Sequence, residues 1–194
     1  MDDIIIQFEH FGFQYHAQSE PTLHDINLSV RRGEKILIAT HRGLAVCFDE
    51  NDVRPMGRTA VGVRGIRLRH EDFVVGAGST SAGTTLLSIT ENGYGKRTAV
   101  EEYSVHGRGG LGMKNYNVTE KTGPIADVKM VSPGEDVLVI TNDGTIIRLA
   151  ADVISQLSRA TQGVRIMRLS AGSRVISIEK TDRETEEDSE TTEE

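Results

Sequence analysis

One segment recurs three times in this chain, and the recurrence limits what it can fold into more than any other feature. Ile36-Leu-Ile-Ala-Thr-His-Arg-Gly43, Leu86-Leu-Ser-Ile-Thr-Glu-Asn-Gly93 and Leu138-Val-Ile-Thr-Asn-Asp-Gly144 share one pattern: an apolar run, Thr, two polar residues, Gly. The three glycines sit 50 and 51 positions apart. About twenty residues after each comes a basic segment: Gly62–Leu68, Gly110–Tyr116 and Gly163–Leu169. A period near fifty means an array of like units, each burying a face against its neighbours. Function then resides in what the array displays rather than in one catalytic pocket.

The runs are short and rich in aliphatic or β-branched residues, as in Ile36–Ala39, Leu44–Phe48, Thr85–Ile89, Val137–Ile140 and Ile146–Leu149. These predict strands. His41-Arg42-Gly43, Glu91-Asn92-Gly93 and Asn142-Asp143-Gly144 predict hairpin turns, because Gly tolerates the positive φ such turns require. A short polar excursion follows each hairpin, at Asp49–Val53, Val100–Tyr103 and Ala150–Ile154. Then comes the basic strand and a final apolar strand: Phe73–Gly76, Ile125–Val131 and Arg174–Ile178. Four strands per unit predict an all-β fold, a propeller- or pinwheel-like array of about three four-stranded blades over residues 36–84, 85–136 and 137–181.

Composition narrows the chemistry. The single Cys47 excludes an internal disulfide framework and is expected to face the core. No apolar stretch reaches membrane-spanning length and the N-terminus has no signal-peptide pattern, so a cytoplasmic chain is expected. The six His are scattered, which predicts no metal site. Asp49, Glu50, Asp52 and Glu101-Glu102 lie in surface excursions and do not suggest an acid–base pair. The formal charge of −7 is misleading. Residues 182–194 hold eight acids and one Arg, so the rest of the chain sums to zero. That tail has no apolar residue and is expected to be disordered, either as a solvating terminus or as a DNA mimic.

Several stretches carry a family resemblance. Val53–Leu68, Asn92–Val100, Arg159-Ala-Thr-Gln-Gly-Val-Arg165 and the acidic tail resemble the C-terminal domain of the DNA gyrase A subunit. That domain is a six-bladed β-pinwheel that wraps duplex DNA around a basic rim, and this chain resembles its last three blades. The family's Gln-Arg-Arg-Gly-Gly-Lys-Gly box belongs to the first blade and is missing here. A degenerate counterpart stands at Gly107-Arg108-Gly109-Gly110-Leu111-Gly112. The resemblance implies sequence-independent binding of the DNA backbone, with no chemistry of the chain's own and no cofactor. Arg58, Arg64, Lys96, Arg97, Arg108, Lys114, Arg159 and Arg165 are the expected phosphate contacts, since regularly spaced cations can follow regularly spaced phosphates. Expected partners are double-stranded DNA and gyrase subunits. A three-blade array would also have open strand edges, which predicts self-association or capping by Ile4–Phe8 and Ile26–Val30.

Residues 1–35 differ in kind. Ile6–Tyr15 followed by Leu23–Lys35 resembles the start of an ABC transporter ATPase, in which the Tyr matching Tyr15 stacks on adenine. No Gly-x-x-x-x-Gly-Lys-Ser/Thr phosphate loop occurs anywhere, so nucleotide binding is not expected and Tyr15 reads more simply as a strand aromatic. The chain therefore reads as a fusion. The competing readings are an ABC-ATPase fragment and a structural remnant that binds nothing.

Overall fold

A computed structural model describes residues 4–13, 23–54, 56, 60 and 62–183. Tyr15, Arg58 and the tail beyond Arg183 lie outside these. The described strands, in chain order, are β1 (Ile4–Phe13), β2 (Leu23–Arg31), β3 (Lys35–Thr40), β4 (Leu44–Asp49), β5 (Val74–Ser79), β6 (Thr85–Thr90), β7 (Tyr94–Ala99), β8 (Met113–Lys114), β9 (Ile125–Val131), β10 (Glu135–Thr141), β11 (Ile146–Ala150), β12 (Val164–Arg165) and β13 (Val175–Asp182). The only helical pieces among them are three-residue 3₁₀ turns at Glu50–Asp52, Val100–Glu102 and Ala151–Val153, where the polar excursions were expected.

Each repeat opens with a tight hairpin, β3–β4, β6–β7 and β10–β11. The repeated Thr and Gly have a physical reason. Gly43, Gly93 and Gly144 have φ of +84°, +76° and +85°, and each donates its N–H to the carbonyl of Thr40, Thr90 or Thr141. The buried threonine hydroxyls tie the turn again. Thr40 and Thr90 accept from Leu44 N and Tyr94 N, and Thr141 donates to Thr145 O.

The basic segments correct the expected unit. They do not complete the sheet of their own repeat. β8, from the second repeat, pairs with β4 of the first, and β12, from the third, pairs with β7 of the second. The sheets are thus β5-β3-β4-β8, β9-β6-β7-β12 and the three-stranded β13-β10-β11. The second and third repeats lend their fourth strands backward. The first basic segment, Gly62–Leu68, forms no described strand, and β11 receives none.

The core lies between blades. One cluster joins Leu37, Ala39, Ala45 and Cys47 of the first blade to Leu86, Ile125, Val128 and Met130 of the second. Another joins Leu87, Ile89 and Val131 to Val137, Val139, Val175 and Ile178 of the third. Cys47 faces the core, as expected, and is 1% exposed. Two further expectations change. β1 and β2 pair only with each other, so no ladder caps a blade edge with Ile4–Phe8 or Ile26–Val30. Residues 182 and 183, expected in the tail, belong to the described structure. β13 runs to Asp182, and Arg183 holds Asp136 at 3.1 Å and Asp152 at 2.8 Å.

Candidate nucleic-acid interface

The basic segments, two of them lent as β8 and β12, carry the candidate interface. Arg64, Lys114 and Arg165 stand 50 and 51 residues apart, each two positions after a glycine with positive φ: Gly62, Gly112 and Gly163. All three side chains are exposed. The glycines bring the lent strand against its host. A Cβ on Gly112 would collide with the Ala45 carbonyl oxygen, and one on Gly163 would sit 2.5 Å from the Gly95 carbonyl oxygen. With its backbone pressed to the host, the strand's basic side chain is left on the rim.

Arg165 is the best-defined of the three. Its guanidinium donates to Tyr94 Oη from Nη2 at 2.7 Å and lies 5.3 Å from the centre of the ring. Lys121 Nζ lies 5.4 Å from the same ring. Arg168, Asn92 and Ser173 help to complete an open hollow of about 450 Å³ around it. Arg67, Arg69 and Arg168 are exposed on the same segments. None of these cations pairs with a described carboxylate. The paired ones sit elsewhere: Arg42 with Glu71, Lys129 with Glu179, and Arg148 and Arg183 with Asp136. Sequence reasoning missed Lys121, which lies outside the basic segments and joins them only through the fold.

The remaining expected contacts divide. Arg108 and Arg159 are partly buried. Arg108 donates to Asp52 O at 2.8 Å and to Arg64 O at 3.4 Å, and Arg159 to Lys114 O at 2.8 Å, so each steadies the basic segment of the repeat before it. Lys96 and Arg97 are misassigned as rim contacts. Lys96 is fully buried; its ammonium donates to Ser158 O at 2.6 Å and Arg159 O at 2.7 Å and lies 5.2 Å from the centre of the Tyr116 ring. Arg97 is 9% exposed and donates from Nε to Ile154 O at 2.9 Å. Both close the gap between repeats, with their charge directed at backbone carbonyls. Burial draws the Lys96 ammonium down from 10.5 to about 8. Among the described residues no group of His, Cys, Asp and Glu could hold a metal ion.

Residues 34–81, 84–132 and 135–182 each match the family described as DNA gyrase C-terminal domain, beta-propeller. The chain belongs to this family. It is 46% identical over 153 residues to the DNA gyrase A subunit of Staphylococcus epidermidis, covering 78% of this chain and 17% of that protein. It is 43% identical over 159 residues to that of Staphylococcus aureus, covering 81% and 18%. The chain thus spans less than a fifth of these relatives. A solved structure of a DNA gyrase A C-terminal domain superposes with a TM-score of 0.72 at 29% identity, over 78% of this chain and 52% of that one. The C-terminal domain of DNA topoisomerase IV shares the fold, with a TM-score of 0.73 at 24% identity. Each repeat of this gyrase family domain accordingly contributes one hairpin and one inner strand, β5, β9 or β13, which neighbour one another between blades, and the second and third each lend one strand more.

Proposed function

We propose that the chain binds the backbone of duplex DNA without reading its sequence, as three repeats of a gyrase A C-terminal domain that wraps DNA for a type IIA topoisomerase. One observation carries this reading: an exposed cation with no described carboxylate partner at the same position of each basic segment, Arg64, Lys114 and Arg165. Arg168 and Lys121 extend the row around Tyr94. Cations fixed at regular intervals can track phosphates, and contacts to phosphates carry no sequence information. Arg58 falls at the position of Arg108 and Arg159 in its own repeat and belongs with them in this proposal. On this reading the chain cuts nothing itself and acts beside other gyrase subunits.

Residues 1–35 are read as a foreign segment joined to the array. The family match begins at residue 34, and β1–β2 forms a sheet of its own.

A salt titration with linear duplex tests the reading. Arg64, Lys114 and Arg165 replaced together by Ala should weaken binding equally for all sequences. The slope of log affinity against log salt should flatten by about three, roughly one for each phosphate no longer neutralised. Retention of duplex by the triple variant equal to that of the parent at low salt would overturn it.

A further inference from the structure

We propose that the free edge of β11 is a docking site for the Gly62–Leu68 segment of a second copy of this chain, in one register. Two surfaces are left over by the backward lending of strands, and they are the two halves of one joint. In the occupied joints, Met113 and Lys114 oppose Ala45 and Leu44, and Val164 and Arg165 oppose Gly95 and Tyr94. Carried one repeat along, the same register sets Val63 against Ile146 and Arg64 against Thr145.

Among the described residues, Gly62 and Gly144 show that the facing sides of the two halves are open. Added Cβ atoms on Gly43 and Gly93 would lie 2.7 Å from Tyr116 O and 2.8 Å from Met167 O, both on the lent strand. The corresponding Gly144 meets nothing within 4 Å. On the other side, Gly112 and Gly163 meet their hosts, whereas Gly62 meets nothing within 4 Å. Ile146 is 60% exposed, and Ala45 at the same position of an occupied edge is 0% exposed. The occupied joints also bond the Gly43 carbonyl to Asn115 N and Tyr116 N, and the Gly93 carbonyl to Ile166 N and Met167 N. Gly65 N and Ile66 N are the donors that would reach Gly144 O.

Side-chain size selects this occupant. In the second blade the host position is Gly95, and the lent residue packed on it is Ile166, whose Cγ1 lies 3.0 Å from where a Cβ would stand. The free edge has a large residue, Ile146, at the host position, and the segment has Gly65 at the position of Ile166. The same two residue types are exchanged between the partners, and the Ile38 Cδ1 of the segment's own blade lies 2.7 Å from where a Cβ on Gly65 would stand. The two surfaces differ, which makes the contact head-to-tail. It is independent of the DNA reading.

The test uses the full chain. Sedimentation should show concentration-dependent self-association. Ile146→Lys, at an exposed position of the single copy, should weaken it about tenfold or more while leaving the melting temperature unchanged at concentrations where the parent is monomeric. Val63→Cys and Ile146→Cys copies, mixed and oxidised, should form a mixed disulfide dimer, since directly opposed Cβ atoms lie about 4.5–5.5 Å apart. Arg67→Cys with Ile146→Cys should not, and the native Cys47 is buried and should not interfere. A monomer at every concentration, association indifferent to Ile146→Lys, or equal cross-linking of both pairs would each overturn the proposal.

Discussion

Lys96 carries a formal charge and does the work of a hydrogen-bonded clamp. It stands in a strand between Gly95 and Arg97, both buried, and its nitrogen ends on the carbonyls of Ser158 and Arg159. Lys96→Ala should therefore lower stability by about 2–4 kcal/mol, through the cavity and the two carbonyls left unpaired. Calorimetry checks this, and any loss of DNA retention should follow the loss of fold. The pH dependence has a definite sign. The folded-state pKa lies below the unfolded one, so between about 8 and 10.5 the folded chain binds fewer protons. Stability should rise over that window relative to Lys96→Met, in which the rise is absent. Burial raises the phenols of Tyr103 and Tyr116 above their ordinary value, and this opposes the rise above about pH 10. The comparison belongs between about pH 8 and 9.5.

Among the elements, the lent strand is decided by backbone proximity. Gly163 combines a φ of +70° with contact against the Gly95 carbonyl, whereas Gly134 has a φ of +86° and open space around it. Gly134→Ala should cost about 1 kcal/mol for the left-handed backbone alone. Gly163→Ala should cost clearly more, because β12 must leave its host; chemical denaturation of the two variants measures the difference. Hydrogen exchange should find β11 less protected than β7, which has a partner on each side. Hairpins, inner strands and 3₁₀ turns were legible in the sequence because local chemistry dictates them: Thr-x-x-Gly closes a turn wherever it stands. The host of Gly110–Tyr116 was not legible. A two-residue ladder leaves no periodicity, and the choice between own blade and previous blade is made by packing. Lys96 and Arg97 were misplaced for a related reason. In β7 every residue from Tyr94 to Thr98 is buried, so alternation, the signal that separates rim from core, is lost.

At the scale of the molecule, charge and connectivity dominate. Residues 184–194 carry seven acids and no base, so their removal takes the formal charge from −7 to 0. On the proposed function, truncation after Arg183 should strengthen duplex binding, most at low salt, where charges act beyond the roughly 8 Å of physiological screening. Ending there keeps the Arg183 pairs with Asp136 and Asp152. ATP with magnesium should leave the melting temperature unchanged, since no phosphate loop is present; a clear upward shift lost in Tyr15→Ala would restore the ATPase reading. The backward lending of strands also separates the unit of the gene from the unit of the fold. The second blade consists of β6, β7 and β9 completed by Val164–Arg165, while Met113–Lys114, between β7 and β9 in the chain, belongs to the first. No unbroken stretch of about fifty codons encodes a whole blade. A cut between repeats leaves one blade short and one strand without a host, whereas duplication of a whole repeat inserts a complete blade.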